Sequence, residues 1–183
     1  MSSGRVAVIA NAVDDWPAAA RASAVRSDAE PLRRLGFTPV ELDLREFDSR
    51  PSELARALRA AALLWVRGGN TFTLRAALAR SGADRLLPDI LDDGPVYAGY
   101  SAGACVLAPS LRGLELLDDP GPEPIWDGLG LIDRAVVPHW NSPLDTDGAT
   151  QRLARRYRRA GVAHWTLTDD QVLLVDGART EKL

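Results

Sequence analysis

A chain of 183 residues with 46% hydrophobic and 26% charged side chains has the make-up of a globular protein long enough to enclose an apolar core, which argues against disorder and fibrous repeats. The formal net charge of -3 provides no basic field, excluding a nucleic-acid partner held by phosphate contacts; the lone Cys105 excludes an internal disulfide. No run of about 18 apolar residues and no apolar leader is present, so no membrane contact is expected and the expected location is cytoplasmic.

Arg5 to Ala10 (RVAVIA) opens the chain as a short β-branched run, the pattern of a strand buried on both faces. Pro17 to Leu35 has helical spacing and ends at Gly36, where a helix C-terminus favours a left-handed residue. Thr38 to Leu44 reads as strand, Pro51 to Ala62 as a helix opened by proline, and Leu63 to Val66 as a third buried strand. A helix follows from Thr71 with a break at Ser81-Gly82, and Val96 to Ala98 is a fourth strand, followed by a helix-like run from Ala102 to Ala108. Gly113 to Gly130, rich in Asp, Pro and Gly, reads as a long loop. Ala135 to Pro138 is then a strand, Thr146 to Ala160 a helix whose Arg152, Arg155, Arg156, Arg158 and Arg159 form a solvated face, and His164 to Thr168 with Val172 to Val175 two closing strands. This alternation implies one α/β domain over residues 1–183, a three-layer α/β/α arrangement with a mostly parallel central sheet. Sites in such sheets form beyond the carboxyl ends of the strands.

The strongest chemical signal is Gly99-Tyr100-Ser101-Ala102-Gly103, a G-x-S-x-G turn between a strand and a helix. The glycines permit a sharp turn that exposes the serine oxygen near the positive end of the following helix, and the Ala102 amide can then point at a developing oxyanion. The alternative is that Ser101 is simply a helix N-cap. A nucleophilic serine needs a base, and of the two histidines His139 follows a strand at the carboxyl edge, whereas His164 begins one at the opposite edge. The acids available to orient His139 are Asp118 and Asp119 in the long loop and Asp169 and Asp170 in the turn between the last two strands, of which Asp169 is the best placed because that turn emerges on the same carboxyl edge. All are equally reasonable turn-formers. Gly68-Gly69-Asn70-Thr71 opens a helix after a buried strand and offers a second set of amides; a phosphate cradle is disfavoured because the P-loop lysine is missing. Asn70, Thr71, Tyr100 and Trp140 are candidate substrate contacts.

Three segments, GGNTF (Gly68 to Phe72), GYSAGA (Gly99 to Ala104) and VPHW (Val137 to Trp140), resemble in order and spacing the serine peptidases related to dipeptidase E and cyanophycinase, which share the class I glutamine amidotransferase-like (flavodoxin-like) fold. The resemblance implies Ser101 as nucleophile, His139 as base, and Gly69 and Ala102 as oxyanion-hole amides; for the third member it offers Asp169, where the family commonly has an acidic residue, or a loop aspartate, Asp118 or Asp119. It implies hydrolysis of a short peptide or another small amide through an acyl-enzyme, with no metal or organic cofactor, and a homodimer as the assembly to test. The aspartate-binding arginine of aspartyl dipeptidases falls here near Ala149 or Thr150, with Arg152 close in sequence. A glutaminase of this fold needs a cysteine at the elbow, and Cys105 lies beyond it. A binding module that has lost catalysis is the remaining alternative.

Overall fold

The computed structural model describes residues 4–92, 94–143 and 145–183, and its packing falls into two compact units, one ending at Gly103 and one running from Ala104 to Leu183. The first unit is built on strands β1 (Arg5–Ile9), β2 (Thr38–Glu41), β3 (Leu63–Val66) and β4 (Val96–Gly99), all parallel, in the order β2-β1-β3-β4. Helices α1 (Ala18–Arg34), α2 (Pro51–Arg59), α3 (Thr71–Ser81) and α4 (Ala83–Asp92) flank this sheet. Val6, Val8, Leu64 and Val66 are fully buried at its centre. That burial is why β1 and β3 carry unbroken apolar runs rather than an alternating pattern. The strand order reverses direction between β1 and β3, so their carboxyl ends and that of β4 frame the crevice in which open α/β sheets place their sites.

Several boundaries differ from the sequence expectation, each for a local reason. The strand expected over Thr38 to Leu44 stops at Glu41 because the chain turns into a 3-10 helix, Leu44–Phe47. Buried Asn11 accepts from the Leu44 amide (3.2 Å) and the Asp43 carboxylate accepts from the Arg45 amide (3.1 Å), so side chains take amides a longer strand would have used. Helix α1 begins at Ala18 with Pro17 as its cap residue, and the break at Ser81-Gly82 divides α3 from α4.

Helix α5 (Ala102–Cys105) is shorter than the expected Ala102 to Ala108. In the second unit the amides of Leu107 and Ala108 donate only three residues back, to Ala104 and Cys105 (3.2 Å each), so the helical ladder gives way to turns, and the carbonyls of Val106, Leu107 and Ala108 accept from the amides of Leu129, Leu131 and Gly130. The long loop is thereby tied down. It also carries a 3-10 turn, Leu114–Leu116, and a bridge between Ser110 and Asp127.

The second unit contains a parallel pair, β5 (Ala135–Val137) with β6 (His164–Thr166), and the helix α6 (Ala149–Ala160). Helix α6 starts three residues later than expected because the Asp145 carboxylate, not Thr146, caps it, accepting from the amides of Ala149 (2.8 Å) and Thr150 (3.3 Å). Its buried stripe is Ala149, Thr150, Leu153, Ala154 and Tyr157, which leaves the arginines on the exposed side. The last expected strand is β7 (Leu173–Asp176), which forms an antiparallel hairpin with β8 (Arg179–Lys182). No strand was expected over the polar segment of β8, although the Asp176-Gly177 pair carries a hairpin signal.

Candidate active site

In the first unit, Ser101 stands between β4 and α5 with φ of 51°, a left-handed conformation that a non-glycine residue adopts at a cost of about 1–3 kcal/mol. The glycines on either side are sterically required. A β-carbon on Gly99 would meet the Gly103 carbonyl, and one on Gly103 would meet that of Val66. The turn is tied to β3 by the Tyr100 amide, which donates to Val66 (3.2 Å), and closed by the Gly103 amide donating to Tyr100 (3.0 Å). The Tyr97 hydroxyl adds a bond to the Gly103 carbonyl (2.7 Å).

The loop after β3 lies directly against this turn. A β-carbon on Gly68 would stand 2.9 Å from Ser101 Cβ and 2.9 Å from the Tyr100 ring. Gly69 has φ of +147°, and its missing β-carbon makes room for the Ala12 carbonyl. The Asn70 amide donates to that carbonyl (2.8 Å), while its side chain caps α3 by accepting from the amides of Phe72 (2.8 Å) and Thr73 (3.0 Å). Among the described residues, the amides of Gly69 and Ala102 donate to no protein acceptor. Thr71 is only 1% exposed, so of the two α3 candidates for substrate contact one is buried and the other is engaged as a cap.

Tyr100, the residue before Ser101, donates its hydroxyl to Asp28 (3.1 Å). Burial, then the nearby Asp28 charge, pushes the phenol up to about 12, so it remains a donor at neutral pH.

In the second unit, His139 follows β5 and Asp169 follows β6, and the parallel pairing of these strands brings them together. Nδ1 of His139 lies 2.6 Å from Oδ1 of Asp169. With Asp169 ionised, this bond puts the proton on Nδ1 and leaves Nε2 as the basic nitrogen. His139 has φ of 54° and Asn141 φ of 58°, so the segment bends sharply. The bend is pinned by the Ser142 amide donating to the His139 carbonyl (3.0 Å) and the Trp140 amide donating to Leu167 (2.9 Å). The Ser142 hydroxyl, and then His139, hold the Asp169 carboxyl below the usual carboxylate range by stabilising its ionised form.

Asp118 and Asp119, the alternative acids, lie after the Leu114–Leu116 turn, where Asp119 accepts from the Gly121 amide (3.0 Å). Trp140 is half-buried beside His139 in the chain. Arg152 pairs with Asp147 (2.7 Å), and Ala149 and Thr150 form the buried first turn of α6. The Cys105 thiol is buried against the Val136 carbonyl (3.6 Å), and burial pushes its pKa upward. Ser142 and Asp28 were not singled out from the sequence. The HWNS run after the strand held a cue for Ser142; Asp28 is too far along the chain from the motifs to have had one. Among the described residues there is no cluster of three or more metal-ligating side chains and no helix long and apolar enough to cross a membrane.

The model of peptidase family S51 matches residues 16–183. An uncharacterized peptidase of Listeria innocua is 31% identical over 162 residues, covering 87% of this chain and 76% of that protein. Peptidase E of Streptomyces coelicolor is 36% identical over 119 residues, covering 64% of this chain and 47% of its own length. The chain thus spans about half the length of that relative. A crystal structure of a candidate peptidase E protein from Listeria monocytogenes superposes with a TM-score of 0.82 at 26% identity, covering 100% of this chain and 87% of that one. A peptidase from an acI-B1 actinobacterium shares the fold, with a TM-score of 0.67 at 17% identity over 98% of this chain and 80% of that one.

Proposed function

The chain belongs to peptidase family S51 and is a peptidase, a serine hydrolase; from that premise we propose that it cleaves short peptides, with Ser101 as nucleophile and His139 as general base. The observation that carries the assignment is Ser101 itself, a non-glycine residue held left-handed at the turn from a parallel strand directly into a helix, against the glycine loop that follows the neighbouring strand. A strained position of this kind is retained where it presents a reacting group.

In the proposed reaction the Ser101 oxygen attacks the scissile carbonyl carbon while its proton passes to Nε2 of His139. Asp169 holds the imidazole through Nδ1 and stabilises the imidazolium that forms. The amides of Gly69 and Ala102 donate to the carbonyl oxygen as it acquires negative charge. The C–N bond then breaks, the leaving amine takes the proton from His139, and water resolves the acyl-enzyme by the same route. Ser142 supports the base indirectly, by fixing the His139 bend and the Asp169 carboxylate together. No step calls for a metal or an organic cofactor.

The test is hydrolysis of a dipeptide panel by the wild type, Ser101→Ala and His139→Ala, alongside labelling with a fluorophosphonate. Turnover and labelling are expected in the wild type, with both lost in Ser101→Ala. Asp-X dipeptides belong in the panel because Arg152, the cation closest in sequence to the expected anchor, is already paired with Asp147. A wild type that labels and turns over no peptide would move the substrate to another small amide. Unchanged turnover in Ser101→Ala would remove the serine mechanism.

A further inference from the structure

We propose that Asp28, on the crossover helix between β1 and β2, is a positioning residue for the reaction: its carboxylate ties Arg67 to Tyr100 and so holds the Gly68-Gly69 loop in register with Ser101. The inference rests on the reading of Ser101 as nucleophile and of Gly69 and Ala102 as oxyanion donors.

One carboxylate serves two strand ends. Oδ2 of Asp28 accepts from Nη1 of Arg67 (2.6 Å), and Oδ1 accepts from the Tyr100 hydroxyl (3.1 Å). Arg67 immediately precedes Gly68-Gly69, and Tyr100 immediately precedes Ser101. The same Arg67 nitrogen donates to the Ala24 carbonyl (3.1 Å), which fixes the guanidinium to α1 at a second point. The Arg67 guanidinium lies 6.0 Å from the Tyr100 ring centroid, and Trp65 packs on the other residue of this pair at 5.7 Å. Both members of the ion pair are largely buried, at 15% and 9% side-chain exposure, so the contact is shielded from solvent and specific in geometry.

The loop and the turn have no slack between them. The space a β-carbon of Gly68 would need is occupied by Ser101 Cβ and the Tyr100 ring. A shift of either strand end therefore changes the separation between the serine oxygen and the Gly69 amide. That separation matters most when charge develops on the carbonyl oxygen, so its loss should appear in the transition state rather than in substrate binding.

The experiment uses the full chain and compares the wild type, Asp28→Asn, Tyr100→Phe and the double variant. Measured for each are kcat and KM on the best peptide of the panel, the second-order rate of Ser101 phosphonylation, the Ki of a peptide boronate, and thermal melting by circular dichroism. Asp28→Asn is expected to lower kcat and the phosphonylation rate together by about 10- to 100-fold, with KM within about twofold of wild type. The boronate, whose tetrahedral adduct uses the oxyanion donors, is expected to lose affinity in step with kcat. Tyr100→Phe is expected to act in the same direction and to add little to Asp28→Asn, because both break one device. If Asp28→Asn does not fold, Tyr100→Phe carries the same comparison. Folded variants with wild-type kcat and phosphonylation rate, or with a raised KM and unchanged kcat, overturn the positioning role. A wild type that neither labels nor turns over overturns the Ser101 reading and this inference with it, whereas a labelled wild type with unaffected variants overturns the inference alone.

Discussion

Replacing Gly68 by alanine sets a methyl carbon 2.9 Å from Ser101 Cβ and 2.9 and 3.1 Å from two carbons of the Tyr100 ring. Carbon atoms pack at about 3.5–4.0 Å, so something must move by about 0.4–1 Å. Neither obstacle is the free end of a flexible side chain: Ser101 Cβ is bonded to the backbone of the turn, and the Tyr100 ring is anchored through its hydroxyl to Asp28. The nucleophile is therefore expected to shift. A misplacement near 1 Å costs about 100-fold in kcat, equivalent to about 2.7 kcal/mol of transition-state stabilisation. The stability cost should be moderate, about 1–3 kcal/mol for overpacking, because Gly68 is not held at positive φ. Gly69→Ala makes the contrast. There φ is +147° and the added carbon meets the Ala12 carbonyl oxygen at 2.5 Å, so left-handed strain of about 1–3 kcal/mol adds to a clash with backbone. At roughly 2–4 °C per kcal/mol for a chain of this size, Gly69→Ala should melt at least several degrees lower than Gly68→Ala. The assay is kcat on the best panel peptide together with melting by circular dichroism. A folded Gly68→Ala enzyme with wild-type kcat would refute the steric coupling of loop and nucleophile.

Further outcomes are expected elsewhere in the chain. Ser142→Ala should raise the Asp169 carboxyl pKa toward the ordinary value of about 3.9, read by carboxyl NMR titration; an unmoved titration would remove Ser142 from the base assembly. Since the folded pKa of Asp169 is depressed, its stabilising contribution is present above the unfolded value and is lost as pH falls through the folded one. At Asp43, burial raises the pKa, but hydrogen bonds from Arg45 and Asn11 and the charge of Arg21 outweigh it and bring the carboxyl to about 2. Its contribution to stability should thus be intact above about pH 4 and disappear toward pH 2, which urea midpoints across that range would test. Arg21 bonds the buried Asp14 side chain (2.9 Å) and the more exposed Glu41 (2.5 Å), while Arg45 remains paired with Asp14 and Asp43, so Arg21→Ala should cost about 1–3 kcal/mol; no measurable loss in urea denaturation would contradict this. Cys105 should react with a thiol reagent only after unfolding, and Cys105→Ala should keep the peptidase activity; rapid labelling of the folded chain would contradict its burial.

Periodicity and turn chemistry alone disclosed the four parallel strands of the first unit, the helices between them and the positions of the Ser101 and Gly68-Gly69 turns, because each depends on contacts among residues close in the chain. The same local logic located β5, β6 and α6. Where a boundary slipped, hydrogen bonds that periodicity does not report were responsible: distant Asn11 and neighbouring Asp43 redirected the chain after β2, bonds reaching three residues back to Ala104 and Cys105 ended α5, and the Asp145 side chain delayed the start of α6. The polar strand β8 was hidden because its pairing with β7, rather than its own composition, makes it a strand. Among the acids, the sequence favoured Asp169 from its place after a closing strand but kept Asp118 and Asp119 as alternatives, since all are ordinary turn residues. The register of β5 with β6 is what sets Asp169 2.6 Å from His139, and only folding puts Ser142 behind both. Sequence determined which side chains carry reactive groups and on which kind of turn each is mounted. Tertiary structure decided their partners, as with Asp28 reaching Arg67 and Tyr100 from a helix far earlier in the chain, because hydrogen bonds and steric fit act across space while sequence patterns report only on neighbours.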